Sequence, residues 1–522
     1  MNPCFNLWTQ DWITVERENG TLDDLSLEQT FLDAPHLLSL HDPSPLVVVG
    51  IQRLLTAILQ DIIAPQRRAD LNALWQAGHF PEDEIRAFGE RYAHRFDLFS
   101  ETAPFLQSAD LSREPQKGDP LKTITYLMPQ IPAGGEVTHY RHGVASDNVF
   151  CPICAARGLL VQPAFASSGG AGIKPSINGV PPIYVLPGGA TLFERLAATL
   201  LLPKYQPDAA SLEEDAVWWR HSPIIEYKGI VQDVGYLHSL TFPARRIRLH
   251  PQRMRAPCSR CGGTKGDWRV TTMVYQMGES RPNDAPPWFD PFAAYRVRED
   301  NPPVPLRPVE GKALWREYAG LFLPMTKEEG QKEHTLPPSA LYQRGTLAFD
   351  NIGLNYTRFP VHCVGLRTDM KAKIFEWVEA GFDVPTTLLN DPVGGDTVRQ
   401  AVDFATGCAR ILAATFRTAF SREGAEHHKD VKDRMLDAYW AALAAPFRAF
   451  ILGVADAETR DAAYTTWVNT AVAQGKHIFR EYADAIGDSA IALRHRVEGI
   501  HNCNRSLNAR RKKELGEEKG DS

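Results

Sequence analysis

The chain of 522 residues carries 57 Lys and Arg against 63 Asp and Glu, for a formal net charge of −6, and 43% of its residues are hydrophobic. This composition excludes an intrinsically disordered chain, a collagen-like fibre and a small disulfide scaffold, and the length suggests about two to four domains. The acidic balance argues against a protein that coats nucleic acid along its whole surface, so any such contact must come from local basic patches.

The N-terminal segment and the cysteine content predict a cytoplasmic protein. The first residues lack a basic region and Asp11 interrupts any apolar run. Runs such as Leu46 to Ile51 are much shorter than the ~18 residues of a membrane span. The eight cysteines are too sparse for a stapled secreted protein. We therefore expect no membrane contact and a reducing compartment, where paired cysteines are more often metal ligands than disulfides.

Residues 1–385 are predicted to form a mixed, loop-rich α/β domain. The 38 prolines exceed the usual share of ~5%. Short strand-like runs such as Ile183 to Leu186 are bounded by Pro-Pro and Pro-Gly-Gly turns. Helical pieces are expected from Pro45 to Ile63 and from Thr191 to Leu202.

Two Cys-x-x-Cys pairs predict a structural zinc site. Cys151 and Cys154 form the first pair, and Cys258 and Cys261 form the second. Two pairs complete a tetrahedral Cys4 site with bonds of ~2.3 Å, which leaves no open position for a catalytic water. The 103 residues between the pairs exceed the ~15–20 of a compact zinc ribbon, so the metal would join two distant loops of one domain. Four free cysteines or two unrelated redox pairs are the alternatives.

A glycine-rich segment, Ser167 to Pro175, follows the first cysteine pair. It contains Gly169, Gly170, Ala171, Gly172 and Lys174. Glycine removes the side chains that would keep a backbone from approaching a partner closely. The segment lacks the Gly-Lys-Ser/Thr of a Walker A loop and the glycine spacing of a dinucleotide site. Its amides and Lys174 could therefore face phosphate or a groove, and a plain surface loop is the alternative.

The stretch from Thr241 to Val270 holds eight basic residues and one acidic residue, Asp267. It surrounds the second cysteine pair and includes Arg245, Arg246, Arg248 and Arg269. Dense arginine beside a zinc loop is typical of a phosphate-binding surface. The alternative is a solvated face that is neutralised by acidic neighbours.

After Asp391 the pattern changes to long helical periodicity, with Pro446 as the one proline between Asp396 and Glu514. Breaks near Gly424, Gly453 and Gly487 divide this region into four amphipathic helices. Such helices are best buried against one another, so residues 391–515 are predicted to form an antiparallel four-helix bundle, followed by a polar tail at 516–522. The predicted fold class is α+β, with a large mixed N-terminal domain carrying the Cys4 site and a C-terminal four-helix bundle.

The ordered set of motifs resembles one known family. The set comprises Phe5-Asn6-Leu7-Trp8, Phe96-Asp97-Leu98-Phe99, the two cysteine pairs, the glycine segment with Lys174, Trp315 and Gly365-Leu366-Arg367. In this order it resembles the large subunit, the CasA family, of the type I-E CRISPR Cascade surveillance complex. The chain also lacks the Gly-x-Ser-x-Gly, His-Glu-x-x-His and Walker lysine motifs of common hydrolases, and we expect no catalysis.

The resemblance implies a non-catalytic subunit that recognises the protospacer-adjacent motif (PAM) of double-stranded DNA, helps to start strand separation and recruits a helicase–nuclease effector. Its implied partners are the target DNA, the guide RNA and the other Cascade subunits. PAM reading is placed on the glycine segment, and the contact to the 5′ handle of the guide RNA falls between Pro129 and Asn148.

The family's strand-separating wedge falls on Asp369, Met370 and Lys371, where Met370 replaces a glutamine. An apolar wedge is physically acceptable because Met and Leu unstack base steps in other proteins. Lys265, Arg269 and Arg281 are candidates for the family's groove-reading lysine, and Arg281 also joins the phosphate-binding candidates.

Two other functions compete with this interpretation. A zinc-stabilised nuclease or hydrolase with an unrecognised site would show metal-dependent turnover by the isolated chain. A scaffold that binds only proteins would make the basic stretch incidental.

Overall fold

The structure is a computed structural model, and it describes residues 3–113, 121–129, 131, 148–168, 172–208, 215–299, 301–324, 333–348, 357–368, 374–420, 425–485 and 490–517. The chain folds as two compact units. The first comprises Met1–Pro308 and Leu336–Asp383, and the second comprises Val309–Thr335 and Val384–Ser522. The first unit is mixed and the second is helical, so the predicted α+β class is confirmed.

The secondary structure follows the chain in this order. The strands are β1 Ile13–Arg17, β2 Leu22–Leu25, β3 Leu37–Leu40, β4 Lys122–Thr123, β5 Tyr184–Pro187, β6 Arg245–Arg253, β7 Trp268–Met277, β8 Tyr295–Arg298, β9 Asn301–Pro305, β10 Glu333–Leu336, β11 Arg358–Thr368 and β12 Ile374–Pro385. The helices before the bundle are α1 Leu27–Leu32, α2 Pro45–Ile63, α3 Arg68–Ala77, α4 Glu82–Tyr92, α5 Pro152–Phe165, α6 Leu192–Ala197, α7 Tyr236–Leu240, α8 Tyr318–Phe322 and α9 Ser339–Ala348.

Small antiparallel sheets form the β part of the first unit. Their strand orders include β2-β1-β3, β12-β11-β5 and β4-β7-β6. The long β6–β7 hairpin is paired from Arg245 opposite Met277 to Arg253 opposite Trp268. Its register shifts between His250 and Pro251, where proline has no N–H to donate to the ladder. This hairpin is the platform of the site described below.

Helix α2 lies in the core of the first unit and packs against α5. A Cβ atom on Gly50 would lie 2.5 Å from the carbonyl oxygen of Leu160, so only glycine permits this close approach. With a mean hydropathy of 1.8, α2 is long and apolar enough to span a membrane, contrary to the expectation from shorter apolar runs. Because 78% of that window is buried inside the fold, its hydropathy is accounted for by core packing.

The second unit contains the predicted bundle. Its helices are α10 Pro392–Phe420, α11 Ala425–Val454, α12 Arg460–Asp484 and α13 Ala490–Glu514, with Gly453 in the last turn of α11 just before the break that was predicted there. The α11 helix continues through Pro446, and its Lys429–Val454 segment also reaches spanning length, with a mean hydropathy of 1.2. Trp467 of α12 donates its indole N–H to the carbonyl of Ala401 in α10 at 2.8 Å, which fixes these two helices side by side.

The segment Val309–Thr335 packs with the helices, although the sequence analysis places it within residues 1–385. The buried ring of Trp315 lies 4.7 Å from Phe447 and 6.1 Å from Trp467, measured between ring centroids. The Arg316 guanidinium stacks 3.7 Å above the centroid of Trp440. These aromatic contacts explain why the segment belongs to the helical unit despite preceding it in sequence.

Candidate metal centre and nucleic-acid interface

The structure brings the two cysteine pairs together. Cys151 is the residue just before α5 and Cys154 lies in the first turn of that helix, while Cys258 and Cys261 lie in the turn between β6 and β7. The four Sγ atoms lie within 4.8 Å of one another, and Cys151 and Cys261 are 3.8 Å apart. Bonds of ~2.3 Å in a tetrahedron place sulfur atoms about 3.8 Å apart, so the four thiols are positioned to hold a metal.

The backbone shapes the second pair as a metal-binding turn. The Cys258 carbonyl accepts the N–H of Gly262 at 2.8 Å, and the Cys258 N–H donates to the carbonyl of Gly263 at 2.9 Å. Gly262 has a φ of +71°, a conformation that glycine adopts without strain. The N–H of Gly263 donates to Cys261 Sγ at 3.4 Å, and the N–H of Cys151 donates to Cys258 Sγ at 3.3 Å. Such N–H···S contacts stabilise thiolates.

The approach to the first pair is tied to the same hairpin. Phe150 and Val270 of β7 exchange backbone hydrogen bonds of 2.9 and 2.8 Å, and Ser259 donates its N–H to the carbonyl of Val149 at 2.7 Å. Backbone hydrogen bonds alone therefore hold the start of α5 against the β6–β7 turn, without a metal. Two segments more than 100 residues apart in sequence form one local structure.

A buried ion network supports the cysteine cluster. Arg260, between Cys258 and Cys261, directs one nitrogen to Cys154 Sγ at 3.8 Å and pairs through another with Asp42. The Asp42 carboxylate is fully buried and also pairs with Arg157 of α5 at 3.2 Å. Arg157 in turn donates to the carbonyl of Trp12 at 2.7 Å. The cluster is thus linked to α5 and the N-terminal region through groups just outside it, as metal ligands commonly are.

The close approach of the thiols shifts their pKa values. A hydrogen bond with Cys154 lowers the pKa of Cys151, but hydrogen bonding with Cys258 and burial outweigh it and raise this pKa to about 12. Hydrogen bonds with Cys151 and Cys258, and then burial, raise the pKa of Cys154. Hydrogen bonds with Cys151 and Cys154 lower the pKa of Cys258. The first thiolate of the cluster is therefore Cys258, and sulfur ligands of this kind favour a soft or borderline metal cation.

The glycine segment begins at the other end of α5. Arg245, at the start of β6, donates to the carbonyl of Ser167 at 2.6 Å, and Ser176 donates its hydroxyl to the carbonyl of Pro163 at 2.5 Å. The N–H of Lys174 faces Met277 Sδ at 3.2 Å, at the end of β7. Gly172, with a φ of +85°, and Lys174 are exposed. Both flanks of the segment are therefore fixed to the open end of the hairpin.

Four arginines predicted to bind phosphate are buried and bonded to protein groups. Arg245, Arg246, Arg248 and Arg269 expose 2%, 9%, 2% and 0% of their surface. Arg246 pairs with Asp110, and Arg248 pairs with Glu101 at 3.0 Å. Arg269 donates to the carbonyls of Ala256, Lys265, Gly266 and Trp268, which braces the metal-binding turn. These side chains cannot reach a phosphate from their buried positions, which corrects the prediction.

Other basic residues differ in their accessibility. Arg281 is partly buried, donates to the carbonyl of Pro286 at 2.8 Å, and has its pKa lowered by burial. Lys265 is exposed in the metal-binding turn. Arg253 and Arg255 are also exposed, but both pair with Asp267, whose pKa is lowered by the hydrogen bond from Arg255. Only a minority of the charge counted in the sequence is therefore available at the surface of this hairpin.

Several predicted positions lie outside the described residues. They are Gly169, Gly170 and Ala171 of the glycine segment, Asp369, Met370 and Lys371 of the wedge, and most of the stretch from Pro129 to Asn148. The sequence analysis missed Asp42, which supports the cysteine cluster. A carboxylate 218 residues away from Arg260 gives no signal in a single sequence.

The chain is similar to proteins of one family. The family model for the CRISPR-associated protein Cse1 matches residues 6–478. The CRISPR-associated protein CasA/Cse1 of Thermus thermophilus is 29% identical over 413 residues, which cover 77% of this chain and 75% of that protein.

Solved structures of the same family share the fold. Cse1 from Acidimicrobium ferrooxidans superposes with a TM-score of 0.78 at 22% identity, covering 98% of this chain and 99% of that chain. Cse1 from Thermobifida fusca gives 0.78 at 23% identity, covering 98% of each chain. A chain of a CRISPR RNA-guided surveillance complex gives 0.71 at 16% identity, covering 97% of this chain and 99% of that chain. With a family model that spans most of its residues, this chain belongs to the CRISPR-associated Cse1 family.

Proposed function

We propose that this chain is the large subunit of a type I-E CRISPR RNA-guided surveillance complex and recognises the PAM of double-stranded DNA. Membership of the Cse1 family supports the proposal, as does the similarity in fold to a chain of a CRISPR RNA-guided surveillance complex. In this role the chain helps to open the duplex, after which the guide RNA pairs with the target strand. Protein recognition confined to a short motif is the general logic of RNA-guided effectors.

One observation carries the DNA-reading part of the proposal. Helix α5 has the cysteine cluster at its N-terminus and the glycine segment just after its C-terminus. The cysteine cluster is anchored at the turn of the β6–β7 hairpin, and the glycine segment is anchored at the open end of the same hairpin. A helix of 14 residues spans about 21 Å, so the hairpin and helix form a rigid strut between the two sites. A glycine-rich backbone with fixed flanks is suited to close approach in a minor groove, where the base code is degenerate, and Gly172 and Lys174 at its described end are exposed.

The four thiolates are proposed to bind one structural Zn²⁺. Their number, their mutual distances and the N–H···S contacts fit a closed tetrahedral site. Bound zinc would lock α5 to the hairpin turn and neutralise part of the thiolate charge. Because all four positions are filled by sulfur, the ligand set favours a structural role over activation of water.

Measurement of bound metal tests the zinc site. Elemental analysis of the purified full-length chain should find one zinc per chain. Cys258→Ser should abolish that stoichiometry and loosen the loops around it, whereas Cys4→Ser, at an exposed cysteine outside the cluster, should leave it unchanged. Equal metal content in Cys258→Ser and the wild type would refute the assignment.

The proposed partners are the sister subunits, the guide RNA with its 5′ handle, the target DNA and a helicase–nuclease effector. The chain itself is proposed to cut no bond. The assay mixes the RNA-bearing complex that contains this chain with labelled duplexes carrying varied flanking motifs, and it records binding and strand cleavage together. Motif-dependent binding without cleavage supports the proposal. Cleavage by this chain would support a nuclease, and absence of DNA binding would support a scaffold that binds only proteins.

Lys174 provides the matched variant for this assay. Lys174→Ala should weaken binding of the motif-bearing duplex roughly two- to fivefold, the value of one exposed ionic contact. Its melting temperature should not change, because the Lys174 side chain is exposed. Lys204→Ala removes an exposed lysine that stacks on Tyr205, at 4.6 Å from the ring centroid, and serves as the charge control. Unchanged binding by Lys174→Ala across a salt series would show that the glycine segment does not contact DNA.

A further inference from the structure

A turn beside the glycine segment holds a lysine in an unusual backbone conformation. Lys228 has a φ of +54°, and the N–H of Gly229 donates to the carbonyl of Glu226 at 3.3 Å, which closes the turn around Tyr227 and Lys228. Lysine rarely adopts a positive φ, and glycine is the usual residue at such a turn position. The chain therefore keeps a long cationic side chain where the backbone would favour glycine.

The strained turn presents its side chains to solvent. Tyr227 exposes 53% of its surface, and Lys228 Nζ lies 5.1 Å from the centroid of its ring. The guanidinium of Arg246 lies on this ring as well, at 6.0 Å. Glu226, also exposed, is the acidic member of the turn. Within the described part of the chain, neither Lys228 nor Lys174 has an acidic partner.

The same turn is placed next to the exposed end of the glycine segment. A Cβ atom built on Gly172 would lie 3.9 Å from Lys228 Nζ. The N–H of Lys228 points to the carbonyl of Met277 at 3.5 Å, and Met277 Sδ also contacts the N–H of Lys174. Farther along, Val231 donates to the carbonyl of Ser280 at 3.0 Å. Gly172, Lys174, Tyr227 and Lys228 thus converge on the end of β7.

We propose that the Tyr227–Lys228 turn binds the DNA backbone beside the groove that the glycine segment enters, with Lys228 contacting a phosphate and Tyr227 packing against the adjacent sugar. This inference rests on the proposed function. An ammonium group at the surface, stacked on a neighbouring aromatic ring and lacking an acidic partner, is complementary to a phosphate oxygen. A backbone contact carries no sequence information, so the turn should add affinity without changing which motif is preferred.

Lys228→Gly separates a binding role from a structural one. The substitution relieves the positive φ and removes the ammonium, so the variant should melt at the same temperature as the wild type or higher. In the RNA-bearing complex, its affinity for a labelled motif-bearing duplex should fall roughly two- to fivefold. The slope of log affinity against log salt, between about 50 and 200 mM, should become shallower by about one. Lys204→Ala, which removes another lysine stacked on a tyrosine, should change neither quantity.

The outcomes distinguish the inference from the proposed function. Equal fractional losses for preferred and non-preferred motifs support a backbone contact, and a changed motif preference would overturn it in favour of base reading. Wild-type affinity and an unchanged salt slope in Lys228→Gly would overturn the inference alone, provided that the wild-type complex binds the duplex. If the wild-type complex binds no motif-bearing duplex, both this inference and the proposed function are wrong.

Discussion

Asp42 offers a sharp test of how the cysteine cluster is supported. Its carboxylate is completely buried and lies between Arg157 of α5 and Arg260 of the metal-binding turn, and it also accepts the N–H of Ser44 at 2.8 Å. Asp42→Asn keeps the size and one acceptor oxygen but removes the charge. The buried Arg260 would then lack its carboxylate partner, and Arg157 would keep only the half-exposed carboxylate of Asp24, at 3.6 Å.

The expected cost follows from this burial. Removing one partner of a buried ion pair typically costs about 3–5 kcal/mol, because the remaining charge stays desolvated. That is a large part of the ~5–15 kcal/mol by which a folded domain is stable. Arg260 also reaches Cys154 Sγ at 3.8 Å, and loss of a group that orients a ligand typically weakens metal binding by about 10- to 100-fold.

Two measurements check this prediction. Urea denaturation should report the loss of stability, and competition with a zinc chelator should report the weaker metal binding. Asp383→Asn is the control: Asp383 pairs with Arg358 at 3.9 Å, and both side chains are more than half exposed, so its loss should cost no more than about 1 kcal/mol. If Asp42→Asn behaves like Asp383→Asn in both measurements, the ion network does not support the cluster.

Three further predictions concern the two folded units. Gly50→Ala should destabilise the first unit by about 1–3 kcal/mol in urea denaturation, because its Cβ would meet the Leu160 carbonyl. Gly381→Ala, whose Cβ would have no atom within 4 Å, should be close to neutral, and equal effects of the two substitutions would refute the packing argument. Burial raises the pKa of Cys408 from 9.0 to about 11, so the folded helical unit holds the thiol proton more tightly than the unfolded chain does. The resulting stabilisation of about 2–3 kcal/mol is fully present below pH 9 and is lost as the pH rises through 11. Cys408→Ala should make the alkaline decline in urea midpoint less steep, and an unchanged decline would contradict the assignment. Trp315→Ala should lower the protection of bundle amides from hydrogen exchange, with a cost of about 3–5 kcal/mol, while Trp377→Ala, at a position 42% exposed, should not.

Local signals in the sequence were sufficient for the bundle and for the cysteine cluster. The helical periodicity after Asp391 and the glycine breaks depend only on neighbours along the chain, and they placed all four helices. A Cys-x-x-Cys pair is likewise a local pattern, and with two such pairs in the chain each has the other as its partner in a four-cysteine site. Both features were predicted correctly because each depends on residues that are close together in the sequence.

The arginine stretch shows where local signals fail. A count of charges between Thr241 and Val270 did not distinguish a phosphate-binding face from one neutralised by acidic neighbours. In the structure, Arg246 and Arg248 are paired with Asp110 and Glu101, more than 130 residues earlier. The alternation of side chains along a strand does not reveal which of its two faces a segment distant in sequence will cover. The same reason explains why Trp315 was assigned to the first domain: its aromatic partners lie on helices more than 100 residues later.

In the proposed function, a metal clamp fixes the flanks of the glycine segment where its backbone can probe a DNA duplex. The most direct test compares the RNA-bearing complex containing wild-type chain with one containing Cys258→Ser, using an intact motif-bearing duplex and the same target with its strands already separated. We expect loss of the metal to abolish the motif preference for intact duplex, while binding to the pre-opened target through the guide RNA persists and no strand is cut by this chain. An undiminished motif preference in the metal-free complex would contradict this expectation.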